Sequence, residues 1–380
     1  MIDLGLMPLV NNFHDTAAEA VNAKRYPLHV VMGSDLIAHL DYQVPPAEMY
    51  DSYCYRSGVS APFVSHCKEM FKEVAGLFPR RVIDIGGNDG TLLRAFQSQS
   101  PATLQLVNVD ASTSVREANE RSGIEFTNAL WGDVDVGKAD VIVSTNVFQH
   151  TADVEKFLAG IQRHLDGVWI LEFPYLLTTL ETNQFDQIYH EHYFYWLMTP
   201  LVNLFKRYGL TIIEIRELRM HGGSLRVVST NKAVPDRKVY APFTARESLY
   251  DYAGAASRTN VQIAKGRAFF EALPRESTVA AFGAAAKGVV YLNALGCADR
   301  FLYVVDDTPQ KQGKFVPGTR LEVVSRERLY EDQPDLLVIL AHNFKDHIIE
   351  SLRGHYRGRI ATMIPTIEVT SAIEIASPSC

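Results

Sequence analysis

The chain has 380 residues, 47% hydrophobic and 21% charged, with a formal charge of −7. That length predicts two or three domains with apolar material for separate cores. The acidic balance, without a long basic run, excludes the electrostatic footprint of a nucleic-acid partner, and no apolar run approaches the roughly 20 residues of a bilayer span.

Met1-Ile2-Asp3-Leu4-Gly5 has neither the basic nor the apolar region of a secretory leader. The four scattered cysteines, Cys54, Cys67, Cys297 and Cys380, signal neither a disulfide framework nor a zinc site. A cytoplasmic setting is expected. Residues 1–65, punctuated by Pro8, Pro27, Pro45, Pro46 and Pro62, predict a small N-terminal lobe with little regular structure. From His66 the pattern predicts a helix over 67–78, a helix over 153–165, and strands over 81–85, 104–109, 140–144 and 168–173. Apolar strands alternating with helices indicate a parallel sheet covered on both faces. Strands over 210–217 and 225–229 follow, then one long helix over 245–273. The rhythm restarts with strands over 278–282, 301–305, 336–341 and 360–364 and a helix over 287–295. The expected class is α/β: an N-terminal lobe (1–65), a doubly wound Rossmann-like domain (66–230) and a second Rossmann-like domain (231–380).

The most informative string is Val82-Ile83-Asp84-Ile85-Gly86-Gly87-Asn88-Asp89-Gly90-Thr91. A strand enters a glycine-rich turn and then a helix, where the backbone turns tightly and approaches a ligand closely. Its D-x-G-x-x-x-G spacing departs from the G-x-G-x-x-G of dinucleotide binding. A carboxylate at Asp84 repels pyrophosphate and attracts a cation, which suits S-adenosylmethionine with its α-ammonium and sulfonium. Asp110 ends the next strand about 20 residues on, where a carboxylate takes ribose hydroxyls. Either acid alone reads equally well as a turn cap; the pair favours an adenosine cofactor over that reading and over nicotinamide. Gly86, Asn88, Gly90 and Asn146 complete the candidate cofactor set. Asn146 joins it because it follows the strand over 140–144 at the carboxyl edge, where ligands of open sheets bind.

Tyr189-His190-Glu191-His192-Tyr193 places two histidines and a carboxylate in an aromatic setting. Histidine suits general-base work near neutrality, and an adjacent carboxylate orients it. Three readings stand: a catalytic base, a metal site that lacks an evident third ligand, and plain packing. His150, just past the strand over 140–144, is either at the reaction centre or a surface histidine. His221-Gly222-Gly223-Ser224-Leu225-Arg226 joins a flexible turn to hydrogen-bonding groups and a cation, which suits an anion such as phosphate or makes an ordinary turn.

These strings join Asp3-Leu4-Gly5, Pro8-Leu9-Val10-Asn11, Tyr53-Cys54-Tyr55-Arg56-Ser57-Gly58 and Glu172-Phe173-Pro174-Tyr175. Further on come Phe282-Gly283-Ala284-Ala285-Ala286-Lys287-Gly288, Val304-Val305-Asp306-Asp307, Lys311-Gln312-Gly313-Lys314 and Pro317-Gly318-Thr319. Together they make the chain resemble, over nearly its whole length, the sugar C-methyltransferases that act on nucleotide-linked 4-keto-deoxysugars. The resemblance implies an S-adenosylmethionine domain followed by a C-terminal domain that helps hold the nucleotide sugar. It implies His192 as the base beside Glu191, with Tyr189, His150 and a tyrosine of the Tyr53 and Tyr55 pair around the substrate. We assign Tyr55 to the reaction, and Tyr53, His190, His221, Ser224, Arg226 and Lys287 to substrate binding. One departure is the zinc lobe of that family, built on two cysteine pairs. The chain starts after the position of the first pair and has Val30-Val31-Met32-Gly33-Ser34-Asp35 where the second would fall, so no metal is expected. The implied chemistry removes a hydrogen α to a ketone, and the resulting enolate carbon attacks a methyl group in line. The alternatives are methylation at oxygen, nitrogen or carbon of a non-sugar natural product, and a nucleotide-binding oxidoreductase or non-catalytic scaffold.

Overall fold

The computed structural model describes residues 1–49, 61–99 and 103–371. Tyr53, Tyr55, Cys54 and Cys380 lie outside the described residues. The N-terminal lobe contains more regular structure than its prolines suggest. Strands β1 (Ile2–Pro8), β2 (Arg25–Met32) and β3 (Ala38–Leu40) form an antiparallel sheet, to which the distant Phe194–Tyr195 adds a fourth strand. Pro27 is tolerated inside β2 because β3 pairs only with Val30–Met32, leaving β2 with a single neighbour at the proline. Between β2 and β3 the Asp35 carboxylate accepts the Ile37 N–H at 3.1 Å and closes the turn.

The central sheet holds β4 (Arg81–Ile85), β5 (Gln105–Asp110), β6 (Glu125–Asn128), β7 (Ala139–Thr145) and β8 (Leu165–Pro174). After β9 (Phe194–Tyr195) come β10 (Thr211–Leu218) and β11 (Ser224–Thr230), giving the order β10-β11-β8-β7-β4-β5-β6. All strands are parallel except β11, which runs antiparallel to both neighbours. Alternate residues feed opposite cores. Ile83, Val107, Ile142, Trp169 and Leu171 pack on one face, and Val82, Leu106, Val141, Val143 and Ile170 on the other. Burial on both sides removes the polar-apolar alternation of a half-exposed strand, which is why these strands read as apolar runs. Each such Val, Leu or Ile contributes about 1.5–3 kcal/mol.

A third sheet follows: β12 (Val279–Phe282), β13 (Val304–Val305), β14 (Val323–Val324), β15 (Leu336–Ile339), β16 (Arg359–Thr362) and β17 (Glu368–Ser371), in the order β14-β13-β12-β15-β16-β17. It too is covered on both faces, with Ala281 and Val338 in one core and Ala280 and Leu337 in the other. The long helix expected over 245–273 is two helices, Ala241–Ser248 and Ala255–Glu271. Asp251 breaks it: its carboxylate accepts the Gly254 N–H at 3.1 Å and an Arg258 N–H at 3.0 Å. Asp satisfies nearby backbone donors in non-helical turns and so competes with helix continuation.

From β4 the chain passes to β5 and β6 on one side, then to β7 and β8 on the other. The strand order therefore reverses at β4, which opens a crevice at the carboxyl ends of β4, β5 and β7.

Candidate active site

The glycine turn occupies the crevice. Gly86 and Gly90 hold φ of +65° and +77°, and Asn88 holds +49°. A Cβ on Gly86 would sit 2.6 Å from Val147 Cγ2, and one on Gly87 would sit 2.6 Å from both Asp84 Oδ2 and Asn108 Oδ1. The loop is thus pressed against its surroundings with no room for side chains. Asp110, closing β5, accepts the Asn88 N–H on Oδ2 at 3.0 Å and the Ser112 N–H on Oδ1 at 2.8 Å. Each oxygen keeps a lone pair for a ligand hydroxyl. Burial raises its pKa, and the two N–H donors oppose that rise.

Two residues that sequence reasoning passed over hold this loop. Asn108 Nδ2 donates to the Asn88 carbonyl at 3.0 Å and to Asn119 Oδ1 at 2.8 Å. Asn119 Nδ2 donates to the same Asn88 carbonyl at 2.9 Å. The signal was present: an asparagine in the middle of Leu106-Val107-Asn108-Val109 is a polar group in a buried strand and needs partners. Asp84 is 1% exposed, and neither carboxylate oxygen has a hydrogen-bond partner. Burial raises its pKa well above the ordinary value, and nearby Asp110 adds to the rise. Asn146, at φ +54°, leaves Oδ1 without a partner while its N–H donates to the Glu172 carbonyl at 2.8 Å. Two acids and an orphaned carbonyl at strand ends, beside a backbone cradle, fit a ligand that is cationic and carries a ribose.

Across the crevice the structure brings together His150, Tyr189, His192 and Tyr195. The His150 and His192 rings lie 4.9 Å apart, edge to face, and Tyr189 and Tyr195 are 3.9 and 6.0 Å from His192. A hydrophobic clamp pins both segments: Phe148 stacks on Trp196 at 4.7 Å, and Trp169 donates to Ser144 Oγ at 2.9 Å. His192 Nδ1 meets the Gln187 carbonyl at 3.1 Å, and His150 Nδ1 meets the Glu191 carbonyl at 2.7 Å. A carbonyl only accepts, so both Nδ1 atoms carry the proton and both Nε2 atoms keep a lone pair. Burial, followed by His150 and Lys287, holds the His192 pKa well below 6.5. Burial brings His150 to about 4. Both rings are neutral near pH 7 and able to accept a proton. Glu191 is 5% exposed; its Oε1 accepts from Asn11 Nδ2 at 2.6 Å, and burial raises its pKa to about 7.

The remaining candidates divide. Lys287 Nζ donates to the His221 carbonyl at 2.9 Å, which brings the C-terminal domain to the site; burial lowers its pKa to about 8 against the pull of Asp186. His221, at φ +52°, keeps Nε2 without a partner and is brought to about 4 by burial. His190 turns the other way from His192: its ring packs edge-on to Tyr26 and its Nε2 meets the Tyr26 carbonyl at 3.3 Å. Ser224 is buried and donates to the Met220 carbonyl at 3.1 Å. Arg226 is 3% exposed, with Nε on Glu172 and Nη1 on Glu73, each at 2.6 Å. Its donors hold carboxylates rather than a free anion, because the antiparallel register sets Arg226 directly opposite Glu172. Among the described residues no group of three or more His, Cys, Asp or Glu is arranged to hold a metal ion, and no helix is long and apolar enough to cross a membrane.

Residues 63–215 match the family model of a methyltransferase domain, and residues 219–365 that of a C-methyltransferase C-terminal domain. C-methyltransferase NovU of Streptomyces niveus is 28% identical over 98% of this chain and 94% of its own length. Among solved structures, 1,6-didemethyltoxoflavin-N1-methyltransferase of Burkholderia thailandensis overlaps 52% of the chain and 95% of its own, at 16% identity and a TM-score of 0.39. Magnesium protoporphyrin IX methyltransferase of Synechocystis overlaps 44% of the chain and 82% of its own, at 16% identity and a TM-score of 0.37.

Proposed function

We propose that this chain, which is an S-adenosylmethionine-dependent methyltransferase with a C-methyltransferase C-terminal domain, methylates the carbon α to the ketone of a nucleotide-linked keto-deoxysugar. On this reading residues 1–65 form a metal-free lobe, 66–230 bind the methyl donor and 231–380 bind the acceptor. Asp110 would take the ribose hydroxyls, Asp84 the cationic end, and Gly86, Asn88, Gly90 and Asn146 would line the cradle. When bound, S-adenosylmethionine supplies an electrophilic methyl group.

The observation that carries the reading is the fixed tautomer of His192, a buried neutral ring whose Nε2 lone pair is left for a proton. That atom would remove the hydrogen α to the ketone. Tyr189 and His150 beside it would contact the substrate, and the enclosed aromatic walls would exclude water from the carbanion. Glu191, its carboxyl held by Asn11 and its pKa raised by burial to about 7, would be a second titrating group beside the base. Lys287 and His221 would face the acceptor from the C-terminal side. Tyr53 and Tyr55 keep their proposed contacts with the substrate.

The test is solvent exchange. With S-adenosylhomocysteine bound and a nucleotide-linked 4-keto-deoxysugar supplied in deuterium oxide, the enzyme should exchange the hydrogen α to the ketone, and His192→Gln should not. Exchange retained in His192→Gln, or absent from the wild type while methyl transfer proceeds, would end the proposal.

A further inference from the structure

The turn that orients the base is itself held from the C-terminal domain. Phe185–Gln187 is a short 3-10 turn, and its Gln187 carbonyl fixes His192 Nδ1. His342, just beyond β15, docks on this turn: Nδ1 lies 3.3 Å from Asp186 Oδ2 and Nε2 lies 3.1 Å from Gln184 Oε1. The Gln184 amide is oriented by its other bond, Nε2 donating to the Gly222 carbonyl at 2.7 Å. Its Oε1 is therefore the acceptor, and His342 Nε2 must carry a proton.

The Nδ1 to Oδ2 contact then needs a proton of its own, on the ring or on the carboxyl. Without it a lone pair faces a carboxylate where the two side chains are only 8% and 1% exposed, an arrangement that low dielectric makes expensive. The other Asp186 oxygen is buried without a partner, so water does not relieve it. Burial, with Lys287 and Lys345, holds the His342 pKa below its ordinary value, against the pull of Asp186 and the Leu340 carbonyl. The same turn is tied into the site once more, since the Gln187 side chain donates to the His221 carbonyl that also receives Lys287.

We propose that a proton held between His342 and Asp186 locks the Phe185–Gln187 turn, making both residues positioning residues for His192. The C-terminal domain then sets the base as well as contacting the acceptor. This inference rests on His192 as the base, and its test needs no acceptor: long-range proton–nitrogen spectra of the full chain labelled with nitrogen-15 histidine. In the wild type His192 should show one tautomer, protonated at Nδ1, and His342 should show a protonated Nε2 and a proton-sharing Nδ1. His342→Ala should lose the single-tautomer signal of His192. Asp186→Asn, whose amide can donate to a neutral His342 Nδ1, should keep it. Thermal melts and S-adenosylhomocysteine binding confirm that each variant is folded, and if His342→Ala is not, Asp186→Leu takes its place. An unchanged His192 signal in the folded disruptive variant, or a bare His342 Nδ1 in the wild type, overturns the proposal. An acceptor other than a keto sugar would leave these spectra as described, so the two readings fail separately.

Discussion

Asp84→Asn removes one charge from the crevice without changing its shape. Asp84 is 1% exposed and neither oxygen has a partner, so the ionised ligand-free protein carries an uncompensated buried carboxylate. An unsatisfied buried polar group costs about 1–3 kcal/mol, and more when charged. The folded pKa is raised by burial and by Asp110. For a raised carboxyl, the stability contribution is present below the unfolded pKa and is lost as pH rises through the folded one. The two proteins should therefore melt alike near about pH 4 and diverge toward pH 8, with the variant more stable by about 1–3 kcal/mol, a shift of a few degrees. Binding should move the other way. A charge-assisted hydrogen bond to the cofactor's ammonium is worth about 1.5–3 kcal/mol, so the variant should hold S-adenosylhomocysteine about 10–150-fold more weakly. Thermal melting against pH, with and without S-adenosylhomocysteine, reads both effects. A variant less stable at every pH, with unchanged affinity, would refute the assignment of Asp84 as a charge kept for the ligand.

His192→Gln should lower kcat by about 10²–10⁴-fold while leaving S-adenosylhomocysteine affinity unchanged; a greater loss in His150→Gln would exchange the two roles. Because burial holds His192 well below 6.5, it is already deprotonated at neutrality, and its own loss of activity belongs to more acidic pH. An inflection of kcat/KM near 7 would instead belong to Glu191, raised to about 7, and should vanish in Glu191→Gln. Arg226→Met leaves the buried Glu172 with His66 alone, at 2.7 Å, and Glu73 without its inner partner, and should cost about 3–5 kcal/mol in chemical denaturation; an unchanged midpoint would deny the network a structural role.

The central and C-terminal strands were legible because burial on both faces writes an apolar run into the sequence, as in Val82-Ile83 and Leu336-Leu337. The N-terminal sheet was not: β3 has three residues, β2 contains a proline, and β9 comes from residues 194–195, so no local window shows the pairing. The helix break at Asp251 depends on a side chain bonding three and seven residues on, which periodicity alone does not reveal.

At the site, the string Asp84 to Thr91 identified the crevice because its conformation is dictated by glycines and flanking acids. His190 and His192 were indistinguishable by composition; the chain turns at His190 and Glu191, with the His192 N–H donating to the Tyr189 carbonyl at 3.0 Å, and this turn sends the two rings in different directions. Arg226 resembled an anion ligand because its carboxylate partners, Glu172 and Glu73, stand 54 and 153 residues away. Gln187 acts on His192 through its backbone carbonyl, a role that residue type does not encode.

In the proposed reaction the methyl group lands on a carbon that His192 has deprotonated. Turnover of S-adenosylmethionine labelled with carbon-13 in its methyl group, against a nucleotide-linked 4-keto-deoxysugar, tests it by carbon NMR of the product. A labelled methyl bonded to the ring carbon α to the ketone is the expected product. A labelled methyl on oxygen or nitrogen would contradict it.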